Sequence, residues 1–259
     1  MIQTVDFSKS EQYTLSIRLS TDGFSFSVFN PLSEGGLSYS DRKIDESLSL
    51  TANLKQTFRE LEWLKHSFYK VNIIVADKRF TLVPLDFFED EQCELLFYHN
   101  HPKRDNEIVQ YNILQKNNTV VLFGMDKSAY SFLQEQYPNA RFCAQASPLI
   151  EHFSAKSRLG NTRKMYADLQ SNYANIYCYD RGRLLLANSF ECKVTADRLY
   201  YLLYIWKQLG FEQMHDELHL SGNLEDKDAL VSQLQKFIKQ VFIVTPALNI
   251  DLQAITTCE

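Results

Sequence analysis

The chain has 259 residues, 45% hydrophobic and 13% aromatic, which points to a globular protein with one large core or two modest ones. Its net charge of −5 argues against a nucleic-acid partner, because counterion release on a polyanion needs clustered Lys and Arg. No run approaches the roughly 18 apolar residues of a membrane span, and MIQTVDFSKSEQ at the start has neither a basic nor an apolar signal region. No membrane insertion and a cytoplasmic location are therefore expected. Five cysteines without a C-x-x-C pair fit that compartment as reduced thiols.

Taken in chain order, YTLSIRLSTDGFSFSVFNP (residues 13–31) is two alternating apolar and polar runs broken at Thr21-Asp22-Gly23. A period of two with glycine in the turn is a hairpin signal, and residues 36–44 supply a third strand. Leu50, Leu54, Phe58, Leu61, Leu64 and Phe68 then share one helical face, and VNIIVA (residues 71–76) is a short buried strand. The acidic run Glu89-Asp90-Glu91 with Glu94 suits a helix start, where carboxylates complement the macrodipole. HNH at residues 99–101 runs into Pro102 and Lys103-Arg104 and reads as a surface loop, not as paired metal ligands.

IVQYNILQKNNTVVLFGM (residues 108–125) is a hairpin turning at Lys116-Asn117-Asn118, and Asp126 caps a helix that reaches Tyr137 before Pro138. Residues 140–145 form a strand, and Ser147-Pro148 opens a helix as its cap and first residue. Residues 154–164, polar and basic around Gly160-Asn161, are the least patterned stretch. The expected boundary falls there, between a domain of residues 1–158 with a small inserted subdomain at about 86–139 and a second domain of residues 159–259.

MYADLQSNYANIYCYDRGRLLLANSF (residues 165–190) reads as three strands turning at Gln170-Ser171-Asn172 and at Asp180-Arg181-Gly182. A helix carrying Leu199, Leu203, Trp206 and Leu209 follows. It is apolar nearly all round and so expected to be buried. ELHLSGN (residues 217–223) is an apolar strand ending at glycine. The order strand, strand, strand, helix, strand thus occurs twice, which suggests two copies of one mixed α/β unit. In HDELH (residues 215–219) two histidines are spaced as helical zinc ligands would be. Asp216 is too short for the glutamate role of that motif, however, and His219 falls in a strand, so no metal site is expected. The chain lacks a nucleophile elbow, G-x-x-x-x-G-K-[ST] and G-x-G-x-x-G, and no catalytic residue is assigned.

Two ribonuclease-H-like halves in tandem resemble the actin-like ATPase superfamily. MYADLQSNYANIYCYDRGRLLL is similar to its second phosphate loop, with Asp168 at the Asp position and Asp180-Arg181-Gly182 at the following hairpin turn. LHLSGN (residues 218–223) resembles its adenosine motif, and SIRLSTDGF (residues 16–24) its first phosphate loop. Within the superfamily the chain resembles the pilus-assembly and type II secretion members most, as an uncharacterised family with degenerate nucleotide motifs would. The resemblance implies an α/β fold of tandem ribonuclease-H-like domains, each a mixed five-stranded sheet with flanking helices. It also implies a cleft in which Arg18, Ser20, Thr21, Asp168, Gln170, Ser171, Asn172, Gly222 and Asn223 hold the nucleotide-contact positions.

The departures from the family pattern bear on function. Arg18 stands where the family has a carboxylate that organises hydrated magnesium. Gln170 stands where a glycine lets backbone N–H groups approach phosphate. Asn223 replaces the second adenosine-motif glycine, a mild change because Asn tolerates positive φ. The resulting expectation is a cleft without cofactor in a non-catalytic binding or assembly module whose protein partner is unknown. The alternative is an active ATP-dependent phosphotransferase or ATPase of the same fold, binding ATP with magnesium. Arg18 and Asp168, at matching strand ends, are candidates to pair across the cleft or to face solvent separately.

Overall fold

The computed structural model describes residues 5–32, 36–222, 227–244 and 249–256. Strands β1 (Thr14–Ser20), β2 (Gly23–Phe29) and β3 (Leu37–Lys43) form an antiparallel meander. On β1, Leu15, Ile17 and Leu19 alternate with Ser16 and Arg18, yet all five are buried, as happens when a sheet is covered on both faces. Helix α1 (Leu50–Glu60) covers one face with Leu54 and Phe58, and Ser49 caps it by accepting from the Ala52 N–H at 3.2 Å. The expected helical face extends to Phe68, but α1 stops at Leu61, whose φ of −106° leaves the helical region, and residues 62–65 form a 3-10 turn. Strand β4 (Lys70–Ala76) then runs parallel to β1.

Strand β5 (Phe80–Pro84), helix α2 (Cys93–Asn100) and strands β6 (Glu107–Leu114) and β7 (Thr119–Asp126) build a separate three-stranded antiparallel sheet in the order β5-β7-β6. It starts upstream of the expected subdomain limit at 86. Helix α3 (Lys127–Gln136), which the expected limits include in the subdomain, instead packs Ala129 and Leu133 into the core of the first sheet. Asp126 is its cap, accepting from the Ala129 N–H at 2.7 Å. His99 lies in the last turn of α2, so HNH is not a loop throughout; His101 leaves the helix and its Nε2 meets the Phe80 carbonyl.

Strand β8 (Arg141–Ala144) pairs parallel with β4 and completes a five-stranded sheet of order β3-β2-β1-β4-β8. Helix α4 (Ala146–Ser157) begins before the expected Ser147 cap. Gln145 already has helical φ and ψ, and Ser147 is used otherwise, its hydroxyl donating to Asn112 Oδ1 at 2.7 Å. The second half repeats the arrangement. Strands β9 (Arg163–Leu169), β10 (Tyr173–Asp180) and β11 (Arg183–Glu191) are antiparallel, helix α5 (Thr195–Gln208) follows, and β12 (Glu217–Gly222) runs parallel to β9. Helix α6 (Lys227–Leu234) leads to β13 (Gln240–Ile243), giving the order β11-β10-β9-β12-β13. Position by position this is the order of the first sheet, in the ribonuclease-H-like arrangement expected from the sequence.

Helix α5 buries Leu202, Ile205 and Trp206 but leaves Tyr200 and Tyr204 exposed, so it is not buried all round. The tyrosines stack on each other at 5.7 Å, which lets their rings sit at the surface with hydroxyls in water. A short helix, α7 (Ile250–Ala254), returns to the first sheet, where Leu252 and Ile255 pack on Ile74 and Cys143. The halves are joined through α4. Leu149, Ile150 and Phe153 pack with Phe123 of the three-stranded sheet, Tyr177 and Tyr179 of the second, and Ile250 of α7. Each such buried side chain contributes about 1.5–3 kcal/mol, so the joint is a packed core. Among the described residues no helix is long and apolar enough to cross a membrane.

Candidate functional site

The first sheet delivers Arg18 from the end of β1, and the second delivers Asp168 from the end of β9. Neither expected arrangement occurs: they do not pair with each other, and both are buried instead of facing solvent. The partner of Arg18 is Asp251, on α7: Nε donates to Oδ2 at 2.7 Å, with side chains 8% and 1% accessible. Gln145, at the start of α4, donates from Nε2 to the same carboxylate oxygen at 2.9 Å, and the Leu252 N–H donates to Oδ1 at 2.7 Å. Two segments distant in sequence thus converge with Asp251's own helix on one carboxylate. Burial works against the charge on Arg18, but Asp251 outweighs it and holds the guanidinium above its ordinary value. Asn249, beside Asp251, donates to the Tyr39 hydroxyl at 3.0 Å and fastens α7 to the first sheet.

Asp168 is 2% exposed and turns to its own sheet. Gln170 Nε2 donates to Oδ2 at 2.9 Å, and Ser221 Oγ lies 3.4 Å from Oδ1. Burial raises the Asp168 carboxyl above its ordinary value; the Gln170 bond opposes this, Asp251 adds to it, and Arg18 opposes it from a distance. A carboxyl raised in the folded state stabilises most below the unfolded value of 3.8, and that stability is lost as pH rises through the folded value. Asp168→Asn is therefore expected to unfold at higher urea than wild type at neutral pH and to lose that advantage near pH 4. Midpoints measured across that range check it; a constant difference at all pH values would show that Asp168 does not titrate in this way.

The loop Gln170-Ser171-Asn172 is a tight hairpin turn, closed by the Gln170 N–H donating to the Tyr173 carbonyl at 2.9 Å. Arg198 of α5 donates from Nη2 to the carbonyls of Gln170 and Ser171 at 3.0 and 2.8 Å, and the Cys192 N–H donates to Asn172. Ser171 and Asn172 are exposed at the tip. In the other loop, Ser20 Oγ donates to the Gly23 carbonyl at 3.0 Å and Thr21 Oγ1 to Asp22 at 2.7 Å. Ser20 and Thr21 border a pocket of 370 Å³ between the first sheet and the three-stranded sheet, with Asp77, Arg104, Asn106 and Asp126 on its rim. Asp168, Gln170 and Gly222 are not part of that pocket. Gly222 pairs with Leu169, and Asn223 lies outside the described residues.

Five of the expected positions thus fall into three groups: Arg18 in a buried ion pair, Asp168 with Gln170 at the end of the central strand of the second sheet, and Ser20 with Thr21 on a separate pocket. Tyr173 ties the first two together electrostatically. Burial pushes its hydroxyl up, with Arg18 opposing and Asp168 and Asp251 adding. Asp251, Gln145 and Arg198 carry much of this site and were not assigned from the sequence. An aspartate between Ile250 and Leu252 was the one available signal for Asp251.

Paired five-stranded sheets of this order, each with flanking helices, define a protein of actin-like ATPase fold. Solved structures agree. A Bacteroides thetaiotaomicron protein with an actin-like ATPase fold and unknown function is 62% identical, with coverage of 99% of this chain and 100% of the relative and a TM-score of 0.92. The PilM-PilN type IV pilus biogenesis complex matches at 12% identity over 93% of this chain and 89% of the other, with a TM-score of 0.55, a likeness of fold alone. No curated protein matches the sequence. Residues 2–241 match the family described as protein of unknown function (DUF3822), and the chain belongs to that family.

Proposed function

We propose that the protein is a non-catalytic binding or assembly module whose cleft is closed from within. The carrying observation is the Arg18–Asp251 ion pair with Gln145 on the same carboxylate oxygen. By the sequence resemblance it occupies the place where active relatives organise a metal and phosphates. Magnesium takes oxygen ligands and keeps several of its waters. Here a guanidinium stands at the first carboxylate position, and the second carboxylate, Asp168, is buried under the Gln170 amide and biased toward its neutral form. That donor set does not fit hydrated magnesium.

The second loop adds to this reading. Its hairpin N–H is spent on Tyr173 and its carbonyls on Arg198, so the turn is held by the protein's own groups. A protein partner is the occupant such a fixed two-lobed body suits. PilM, which shares only the fold, is described in a complex with PilN, so the fold is compatible with that role. Purified protein incubated with ATP and magnesium is expected to release no phosphate. Turnover that Asp168→Ala abolishes would overturn the proposal in favour of an active ATPase or phosphotransferase.

A further inference from the structure

The strand β10 separates two turns. It runs from Tyr173, beside the cleft loop, to Asp180, so the Asp180–Arg183 turn sits roughly 23 Å away at the opposite end of the sheet. There it meets two other segments. Lys116 and Asn117 of the β6–β7 turn, Arg158 just past the end of α4, and Arg181 and Arg183 border one open depression of 480 Å³. Four cations from three segments therefore surround a single concave space on a chain whose net charge is −5.

These cations are poorly balanced. Asp180 is shared among Arg181 at 3.1 Å and Arg183 and Arg163 at 3.9 Å. Asp86, near the other turn, accepts from Asn118 at 3.0 Å. Among the described residues Lys116 and Arg158 make no ion pair. Asn117 and Asn118 border the same depression between Lys116 and the arginines. The frame is also fixed. The Gly182 N–H donates to Ser157 Oγ at 3.0 Å, and Ser154 Oγ donates to the Gly182 carbonyl at 2.9 Å, which fastens the arginine-bearing turn to α4. Arg181 keeps a positive φ of 46° there, a conformation uncommon for such a residue.

We propose that this depression binds a small soluble phosphorylated molecule. Guanidinium forks match phosphate oxygens in pairs, and a lysine adds a point charge. Because the cations converge on one hollow instead of forming a stripe or a helix face, the geometry suits a compact ligand better than a polymer. The site is separate from the cleft and does not depend on how the cleft functions.

Calorimetric titration of the full chain with inorganic pyrophosphate tests this. Saturable binding is expected, and Arg158→Ala with Arg183→Ala should weaken it by about tenfold or more. Lys193→Ala with Lys207→Ala, a pair of exposed cations beside and on α5, should leave it unchanged. The replaced side chains are exposed or make no ion pair, and unchanged thermal midpoints establish that the variants remain folded. Absence of saturable binding, or equal weakening by both double variants, would overturn the proposal. So would co-sedimentation with phosphatidylglycerol vesicles that pyrophosphate does not displace, since that result assigns the patch to a lipid surface.

Discussion

Arg18→Ala is expected to destabilise the protein by about 3–5 kcal/mol, the cost of leaving one member of a buried ion pair without the other. Asp251 is 1% accessible in its side chain and keeps only the Gln145 amide and the Leu252 N–H once Arg18 is gone. Asp251→Ala should cost a similar amount, because it strands a guanidinium that is itself buried. Replacing both, as Arg18→Met with Asp251→Leu, is expected to restore most of the loss, since apolar side chains of similar volume need no desolvated charge. Urea midpoints of the three variants measure this. A loss for Arg18→Ala of only about 0–1 kcal/mol, the value of an exposed pair, would mean that the contact does not hold the sheets together. The functional consequence follows from where the partners sit. Arg18 belongs to the first sheet and Asp251 to a helix that enters from the second, so breaking the pair should also speed hydrogen exchange in α7.

How far the sequence reached depends on the range of the interactions involved. Alternating runs with glycine turns are local signals, and the strands between Thr14 and Ala76, and between Arg163 and Gly222, fall where those signals place them. Asp126 is likewise a local cap and occurs as expected. The partner of Arg18 was not legible, because it lies 233 residues away on a five-residue helix with no pattern of its own. The Ser147 cap fails for a related reason. Tertiary bonds draw Gln145 to Asp251 and Ser147 to Asn112, and these override the local capping preference. Arg198 had no distinguishing signal on α5, yet it reaches back to fix the turn at Gln170. The limits of the inserted sheet were blurred because β5 is short and pairs with β7, so its strand character comes from a partner some forty residues on.

These long-range bonds also separate the two meanings that a motif glycine can carry. Gly222 was read as a nucleotide-contact residue from LHLSGN, but its environment supplies a reason that needs no ligand. Its φ is 108°, and a Cβ placed there would lie 1.9 Å from the Leu169 carbonyl oxygen and 2.8 Å from the carbonyl carbon. Leu169 is buried and cannot retreat without moving Asp168 and Gln170, its neighbours in sequence and the two ends of a 2.9 Å bond. Gly222→Ala combines backbone strain with overpacking and is expected to cost about 2–4 kcal/mol. Gly222→Asn should be no milder, because tolerance of positive φ does not remove the clash at Cβ. Urea unfolding with and without ATP and magnesium distinguishes the two roles. The same loss under both conditions is the expected result, and a variant that matches wild type without nucleotide but falls behind when nucleotide is present would show that the glycine serves a ligand instead of the approach of β12 to β9.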